Sequence, residues 1–334
     1  MTDTGVTDLP PAEAISVVVP TVDRPDELAR CLDALVAGTA APAEVWVVDQ
    51  GGSPGTEAVL RERAAVLPLR HLVSQERGLS RARNTGLAQV STPWVAFVDD
   101  DCVPDVDWLA NAGSRLARGD VQGVTGRVLP LGEATPGSHT LSLRVSETPR
   151  VFRGRALPWL VGTGGNMVLH APTLRRVGGY DERLGAGTPG LAGEDLEVVH
   201  RLLRAGAALG YDPAVLVRHD RVDAARRLAT RHGYGFGLGA YVGVWWPTDR
   251  WVAVVLGRWA WAQVRAGAGA LRHRDRWRLR EAWLLLRGMA AGLRFGRRLG
   301  PPVTMVEASP TATTATTASG GDLGVEVEER PGGA

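Results

Sequence analysis

Over the first hundred positions, short apolar runs alternate with amphipathic stretches. "ISVVV" (15–19), "EVWVV" (44–48), "LRHLV" (69–73) and "WVAFV" (94–98) are compact and rich in β-branched or aromatic residues, which predicts buried strands. Between them the spacing changes. Pro25 opens a segment whose Leu28, Cys31, Leu32 and Leu35 fall on one helical face, and "TEAVLRERAAVL" and "GLSRARNTGLAQV" read as two further helices. Strand and helix in strict alternation predict an α/β fold with a mostly parallel sheet flanked by helices. In such sheets ligands sit beyond the carboxyl ends of the strands. Pro20-Thr21, Asp49 and Asp99 all fall there, so three distant segments are expected to meet at one crevice.

Beyond Asp120 the pattern is less regular. "VQGVTGRVLPL" and "GGNMVLH" read as strands. "EDLEVVHRLLRAG" reads as a helix with Leu196, Val199 and Leu203 inward and Gly206 as its stop, and "AVLVRH" as a last strand ending at His219. From Arg221 to Gly300 the chain turns helical and rich in Arg and Trp. Residues 301–334 are poor in bulky apolar side chains and residues 1–12 are polar, so a disordered tail and a flexible N-terminus are expected.

Composition sharpens this picture. The chain has 334 residues and 44% hydrophobic positions, enough for a substantial core. Two cysteines, Cys31 and Cys102, give no disulfide framework and point to a reducing compartment. The N-terminus lacks the basic start and apolar block of a secretion signal, and no run of about 18 apolar residues is present. A cytoplasmic protein follows, with the inner face of the cell membrane as a further location. The net charge of +2 conceals an asymmetry, since residues 201–300 hold 19 Arg against 6 acidic residues and the rest of the chain is acidic.

Candidate chemistry starts at "WVAFVDDDCVP". Asp99, Asp100 and Asp101 leave the end of an apolar strand together and repel one another unless a cation joins them. A hard divalent ion that also touches a substrate phosphate fits that need, whereas a single Asp would read as a turn or helix cap. Glu194 and Asp195 open a helix after the glycine-rich "RLGAGTPGLAG". Taken alone they suit a helix N-terminus, although the loop can cover a cleft. His219, at a strand end, can complete a metal site with the aspartates or be merely structural. Arg77, Arg81 and Arg83, preceding Asn84, either meet a diphosphate or form a solvated face. No phosphate-binding "GxxxxGK[ST]" and no dinucleotide-binding "GxGxxG" is present.

Taken in order, "VVVPTVDRPDELARCLDAL", "VWVVDQGG", "RGLSRARNTGL", "FVDDDCVP", "GGNMVLHAPTLRRVGGYDERLGAGTPGLAGEDLEVVHRLLRAG" and "VRHD" resemble a family 2 glycosyltransferase over roughly Ile15 to Asp220. The resemblance implies a GT-A domain over 13–220, and the basic, Trp-rich helical region over 221–300, read from composition, lies beyond it. The resemblance also implies inverting transfer of one sugar from a nucleoside-diphosphate sugar to a hydroxyl acceptor, with Mg²⁺ or Mn²⁺ as cofactor. Pro20, Thr21, Arg24 and Asp49 would line the nucleotide pocket together with Arg77, Arg83 and Asn84. Asp99, Asp100 and Asp101 would form the acidic element on ribose and diphosphate, with Asp99, Asp101 and His219 toward the metal. Asp195 would be the general base beside Glu194, with Gly165 and Asn166 on the acceptor side. Gln50-Gly51-Gly52 departs from the usual continuation after Asp49, so the base is left open. No QxxRW element follows the Glu-Asp pair, which favours single transfer over polymerisation.

Two other readings of the acidic site are a sugar nucleotidyltransferase and a non-catalytic module that binds nucleotide sugar or membrane. The interleaved Trp and Arg of 245–283 suit helix packing first, then contact with an anionic membrane, which would make the acceptor lipid-linked or a cell-envelope glycan. Nucleic acid is disfavoured by the acidic N-terminal part.

Overall fold

The computed structural model describes residues 14–300, so the expectations for residues 1–12 and 301–334 lie outside the described residues. The first half follows the predicted alternation: β1 (Ile15–Thr21), α1 (Pro25–Val36), β2 (Glu44–Asp49), α2 (Pro54–Arg63), β3 (Leu69–Val73), α3 (Leu79–Gln89) and β4 (Trp94–Phe97). These strands pair in parallel in the order β3-β2-β1-β4. Every residue of β1 is buried, as expected for a strand covered on both faces. The predicted face of α1 is the buried one, with Leu28, Cys31, Leu32 and Leu35 inward.

The second half consists of β5 (Cys102–Pro104), α4 (Trp108–Leu116), β6 (Gly123–Pro130), β7 (Ser138–His139), β8 (Arg150–Phe152), α5 (Pro158–Val161), β9 (Met167–His170), α6 (Ala171–Arg176), α7 (Glu194–Arg204), β10 (Leu209–His219) and β11 (Val222–Asp223). Here the sheet becomes mixed. β9 runs antiparallel between β4 and β6, β10 lies parallel to β6, and β5 and β8 pair antiparallel with β10. A register shift between Asp212 and Leu216 bends β10, and its last residues carry His219 alongside Cys102. β7 and β11 form a separate two-stranded ribbon.

One apolar core, centred on Trp108, Val17 and Val215, lies on the side of α1, α2 and α4. A second, with Phe97, Met167, Tyr180 and Val199, lies on the side of α3, α6 and α7. The inward face of α7 differs in part from the periodicity reading. Val198, Val199, Leu202 and Leu203 are buried there, while Leu196 is half-buried and packs against the C-terminal helices.

Those helices are α8 (Ala224–Trp245), α9 (Trp251–Arg272) and α10 (Arg276–Leu299). α8 and α10 pack through glycines spaced four apart, Gly235, Gly239 and Gly243 against Gly288, Gly292 and Gly296, so close that a Cβ on Gly292 would sit 1.9 Å from the Phe236 carbonyl oxygen. Trp245 is fully buried beside Tyr241 and Val255. Several arginines stack on neighbouring tryptophans, with Arg297 over Trp246 at 4.6 Å, Arg287 over Trp283 at 5.1 Å and Arg227 over Trp277 at 5.5 Å. The interleaving of the two residue types is thus partly packing. Trp261 and Trp283 nevertheless stay 58% and 55% exposed. No helix of the described residues is long and apolar enough to cross a membrane.

Candidate active site

The ends of β1, β2 and β4 open into a cavity of about 2260 Å³, whose far wall is formed by α8, α9, α10 and the segment 140–152. Pro20, Thr21, Arg24, Arg77, Arg83, Asp99, Asp100, Asp101, Gly165, Glu194, Asp195 and His219 all line it. The aspartates after β4 and the acidic pair of α7 therefore share one space, although roughly a hundred residues separate them in the chain.

Neighbouring cations and hydroxyls answer the repulsion among the aspartates. Thr21 Oγ1 donates to Asp100 Oδ2 at 2.8 Å, and Arg24 Nη1 donates to Asp100 Oδ1 and Asp101 Oδ2, each at 3.1 Å. Burial, only partly offset by Arg24 and reinforced by Asp101, pushes the Asp100 carboxyl up to about 6. Arg83, 1% exposed, reaches both acidic groups: Nη2 donates to Asp99 Oδ1 at 2.8 Å and Nη1 to Glu194 Oε1 at 3.0 Å. Its Cζ lies 5.2 Å from the centre of the Tyr180 ring. Burial opposes the charge on Arg83, yet Asp99, Tyr180 and Glu194 more than compensate and hold its pKa above the ordinary arginine value.

Asp195 is fixed by backbone. Gly164 N–H donates to its Oδ2 at 3.2 Å and Leu196 N–H to its Oδ1 at 2.8 Å. Burial raises both carboxyls of the pair. Glu194 is carried up to about 7 with Asp195 adding to the shift, and Asp195 also moves above the usual carboxylate range. Two adjacent carboxylates lining a cavity, both with raised pKa and one of them near neutrality, suit proton transfer.

His219 faces Asp101 from the end of β10. Its Nδ1 lies 2.8 Å from the Asp220 carbonyl oxygen, which can only accept, so Nδ1 carries the hydrogen. In the neutral ring Nε2 then turns a lone pair toward Asp101 Oδ1, 3.5 Å away. Ligand atoms of Asp101, Cys102 and His219 all fall within 4.8 Å of one another. A carboxylate and an imidazole facing each other with lone pairs, beside further carboxylates, fit a divalent ion.

Three expectations are corrected. Asn84 does not line the cavity. Its amide donates to the Tyr180 carbonyl at 2.9 Å and to Glu182 Oε1 at 3.0 Å and accepts from Tyr180 N–H, so it ties α3 to the loop after α6. Asn166 is fully buried, donates both amide hydrogens to the Arg127 and Val215 carbonyls and accepts from the Trp108 indole at 2.9 Å, so it links β6, β10 and α4 and does not line the cavity. Asp49 is buried behind the cavity wall. Its Oδ1 accepts from Gly51 and Gly52 N–H at 2.9 Å each, while Oδ2 finds no hydrogen-bond partner among the described residues, 3.4 Å from His71 Nε2.

Gln50, part of the departure after Asp49, had no assigned role. It lines the cavity and donates to the Glu76 and Gly78 carbonyls at 2.6 and 3.2 Å, fastening the loop that carries Arg77. The glycine-rich segment before α7 is likewise fastened, by Leu79 N–H to the Ala186 carbonyl and Ser80 Oγ to the Leu184 carbonyl.

A parallel α/β half whose strands end in carboxylates, fused to a mixed half that brings a second acidic pair to the same space, defines a fold of the GT-A class. Solved structures agree on the fold. The mannosyltransferase PcManGT from Pyrobaculum calidifontis, in complex with GDP-Man and Mn²⁺, superposes with a TM-score of 0.58 at 18% identity over 84% of this chain and 87% of its own. TarS 1-349 of S. aureus in complex with UDP-GlcNAc gives 0.51 at 13% identity over 86% of this chain and 92% of its own. In sequence, the profile of Glycosyl transferase family 2 matches residues 16–176. The galactofuranosyltransferase GlfT1 of Mycobacterium tuberculosis is 30% identical over 210 residues, 59% of this chain and 67% of the relative. The chain belongs to glycosyltransferase family 2. The pre-mycofactocin glycosyltransferase of the same organism is 29% identical over 266 residues, 76% of this chain, and the chain spans about half, 53%, of that relative's length.

Proposed function

We propose that the protein transfers a single sugar, with inversion, from a nucleoside-diphosphate sugar to a hydroxyl of an acceptor, assisted by Mg²⁺ or Mn²⁺. The observation that supports this reading is that Asp101 and Asp195 line one cavity, where the first would hold a diphosphate-bound cation and the second would meet an acceptor hydroxyl. The nucleotide sugars bound by PcManGT and TarS support the donor class. Membership of the family leaves the nucleotidyltransferase reading without support. The intact acids Asp99, Asp101, Glu194 and Asp195 argue against a binding module that has lost its chemistry.

Asp101 and His219 would hold the ion, with Asp99 and Asp100 toward the ribose and diphosphate. When bound, the cation neutralises charge developing on the departing diphosphate. Arg24 and Arg77 lie at the same end of the cavity as guanidinium partners for phosphate oxygens. Asp195, held at both oxygens by backbone N–H groups, takes the proton of the acceptor hydroxyl. The new bond to the anomeric carbon forms on the face opposite the leaving group as the bond from that carbon to the diphosphate oxygen breaks. General-base assistance of this kind is worth ~10²–10⁴-fold. Arg83, which donates to both Glu194 and Asp99, would hold these two carboxylates in place.

The acceptor side is apolar and cationic, which supports a lipid-linked or cell-envelope glycan as acceptor and contact of exposed Trp261 and Trp283 with an anionic membrane. Co-sedimentation with anionic vesicles tests the contact, and no binding removes it. For the activity, UDP-, GDP- and dTDP-sugars are screened by thermal shift with and without Mn²⁺, and the stabilising donor is used in a transfer assay. Asp195→Asn is expected to retain donor binding and lose transfer. Retained turnover would remove the assigned base.

A further inference from the structure

The charges of the cavity are unevenly spread. Its donor end gathers Asp99, Asp100, Asp101, Glu194 and Asp195 around Arg24, Arg77 and Arg83, whereas on the far wall α8 and α9 bring Arg226, Arg227, Arg231, Arg258 and Arg265 with only Asp275 and Glu281 of the neighbouring turn and α10 near them. Arg231 Nε is engaged by Glu281 at 2.7 Å and Arg226 leans toward Asp101 at 3.9 Å. Arg258 and Arg265 make no ion pair or hydrogen bond among the described residues. They lie seven positions apart, two helical turns, and therefore on one face of α9, a helix of 22 residues with no acid in its sequence. Beside them the same wall is apolar, with Trp259, Trp261, Leu238 and Leu285.

A neutral glycan would be met by carboxylates, amides and aromatic platforms. This wall offers guanidinium groups with unspent donors next to indole and aliphatic surface, and guanidinium forks match phosphate oxygens in geometry and charge. Resting on the reading of the site as a glycosyltransferase centre, we propose that the α9 side of the cavity is an acceptor subsite for a phosphate-bearing amphiphile. Arg258 and Arg265 hold the phosphate, and Trp259 and Trp261 lie along the apolar portion. The placement also separates two anions that would otherwise compete: the donor diphosphate stays with the aspartates and the cation, and the acceptor phosphate with α9.

Calorimetry on the full chain tests this with three probes below their aggregation limits: decyl phosphate, decyl β-glucoside and inorganic phosphate. Decyl phosphate is expected to bind, decyl β-glucoside to bind at least about tenfold more weakly, and inorganic phosphate to compete with decyl phosphate at high concentration. The paired substitution Arg258→Ala with Arg265→Ala is expected to weaken decyl phosphate about tenfold or more. Arg272→Ala with Arg276→Ala, which removes two cations outside the cavity lining, is expected to leave it unchanged. Equal affinity for the two decyl compounds, no effect of the first pair, or equal loss from both pairs overturns the proposal. Competition by inorganic phosphate without any gain from the decyl chain reduces the subsite to a phosphate site and overturns the amphiphile. Stabilisation by a nucleotide sugar is measured on the same samples. Donor binding without decyl phosphate binding refutes this inference alone, whereas absence of donor binding counts against the glycosyltransferase reading itself.

Discussion

Arg83 and Glu194 are joined at 3.0 Å across 111 positions of chain, and the same guanidinium holds Asp99 at 2.8 Å. One buried cation thus ties the acidic element after β4 to the acidic pair that opens α7. The two halves of the site are kept in register by electrostatics as well as by the sheet.

Removing that cation is expected to cost more than removing a surface charge. Arg83→Ala leaves Asp99 and Glu194 facing each other without compensation, and breaking a buried ionic group on one side typically costs about 3–5 kcal/mol. Thermal or denaturant unfolding checks this. Arg83→Lys is expected to recover only part of the stability, because a single ammonium cannot serve two carboxylates as a planar fork does. A variant as stable as the parent would show that the network contributes nothing to the fold.

Most of the site was legible because its residues sit at strand ends and a helix start, positions that alternation and polarity mark in sequence. Thr21, Asp99, Asp101, Asp195 and His219 reach the cavity for that reason. What sequence could not reveal was how each polar side chain is satisfied. Asn84 and Asn166 stand next to the cavity-lining Arg83 and Gly165 in the chain, yet their amides bond to other elements of the fold. The link from Arg83 to Glu194 is non-local and leaves no periodicity. The glycines of α8 and α10 did leave a trace, a repeat of four in each helix, but its meaning depends on the two helices being partners. The sheet beyond β4 resisted for a related reason: β9 and β5 are short, and nothing in four or three residues distinguishes parallel from antiparallel pairing.

The acidic pair predicts an unusual pH profile. Burial raises Glu194 to about 7, with Asp195 adding to the shift and Arg83 opposing it, and Asp195 also stands above its ordinary value. A base must be ionised to accept a proton, and burial raises Asp195 above its ordinary value, so the acid limb of kcat/KM is expected at a pH above the range of an ordinary carboxylate. Glu194→Gln is expected to shift this acid limb to lower pH. The stability effect has the opposite sense. A carboxyl whose pKa is raised on folding stabilises the native state below its unfolded value of 4.5, and that contribution is lost as pH rises through about 7. Denaturant titrations of the donor-free protein between these limits should show the decline, and Glu194→Gln should flatten it.

Glycine packing in the C-terminal helices gives a contrast within one structure. Alanine at Gly292 would place its Cβ 1.9 Å from the Phe236 carbonyl oxygen, and at Gly239 2.1 Å from that of Met289. Both contacts are with backbone, so α8 and α10 must separate, and a loss of about 1–3 kcal/mol or more is expected. Gly257 on α9 has nothing within 4 Å of an added Cβ, and there alanine should stabilise by about 0.5–1 kcal/mol through helix propensity. Opposite signs in thermal unfolding are the expected outcome. A stable Gly292→Ala would contradict the close approach of the two helices.

The tautomer of His219 leads to a prediction about metal. The Asp220 carbonyl holds a hydrogen on Nδ1, so Nε2 is the ring atom turned toward Asp101 Oδ1, 3.5 Å away. A divalent ion would be held by these two side chains, with a nucleoside diphosphate adding oxygen ligands. Mn²⁺ together with the matching nucleoside diphosphate is therefore expected to raise the melting temperature more than the sum of their separate effects, and EDTA to abolish the excess. His219→Ala should weaken the response to metal by roughly 10–100-fold in the concentration required, as is usual when a metal site loses a supporting group. Asp101→Asn should abolish it, since the carboxylate carries the charge that the ion answers. His219→Ala with an unaltered metal response would assign the ion to the aspartates alone and leave the histidine as a purely structural end to β10.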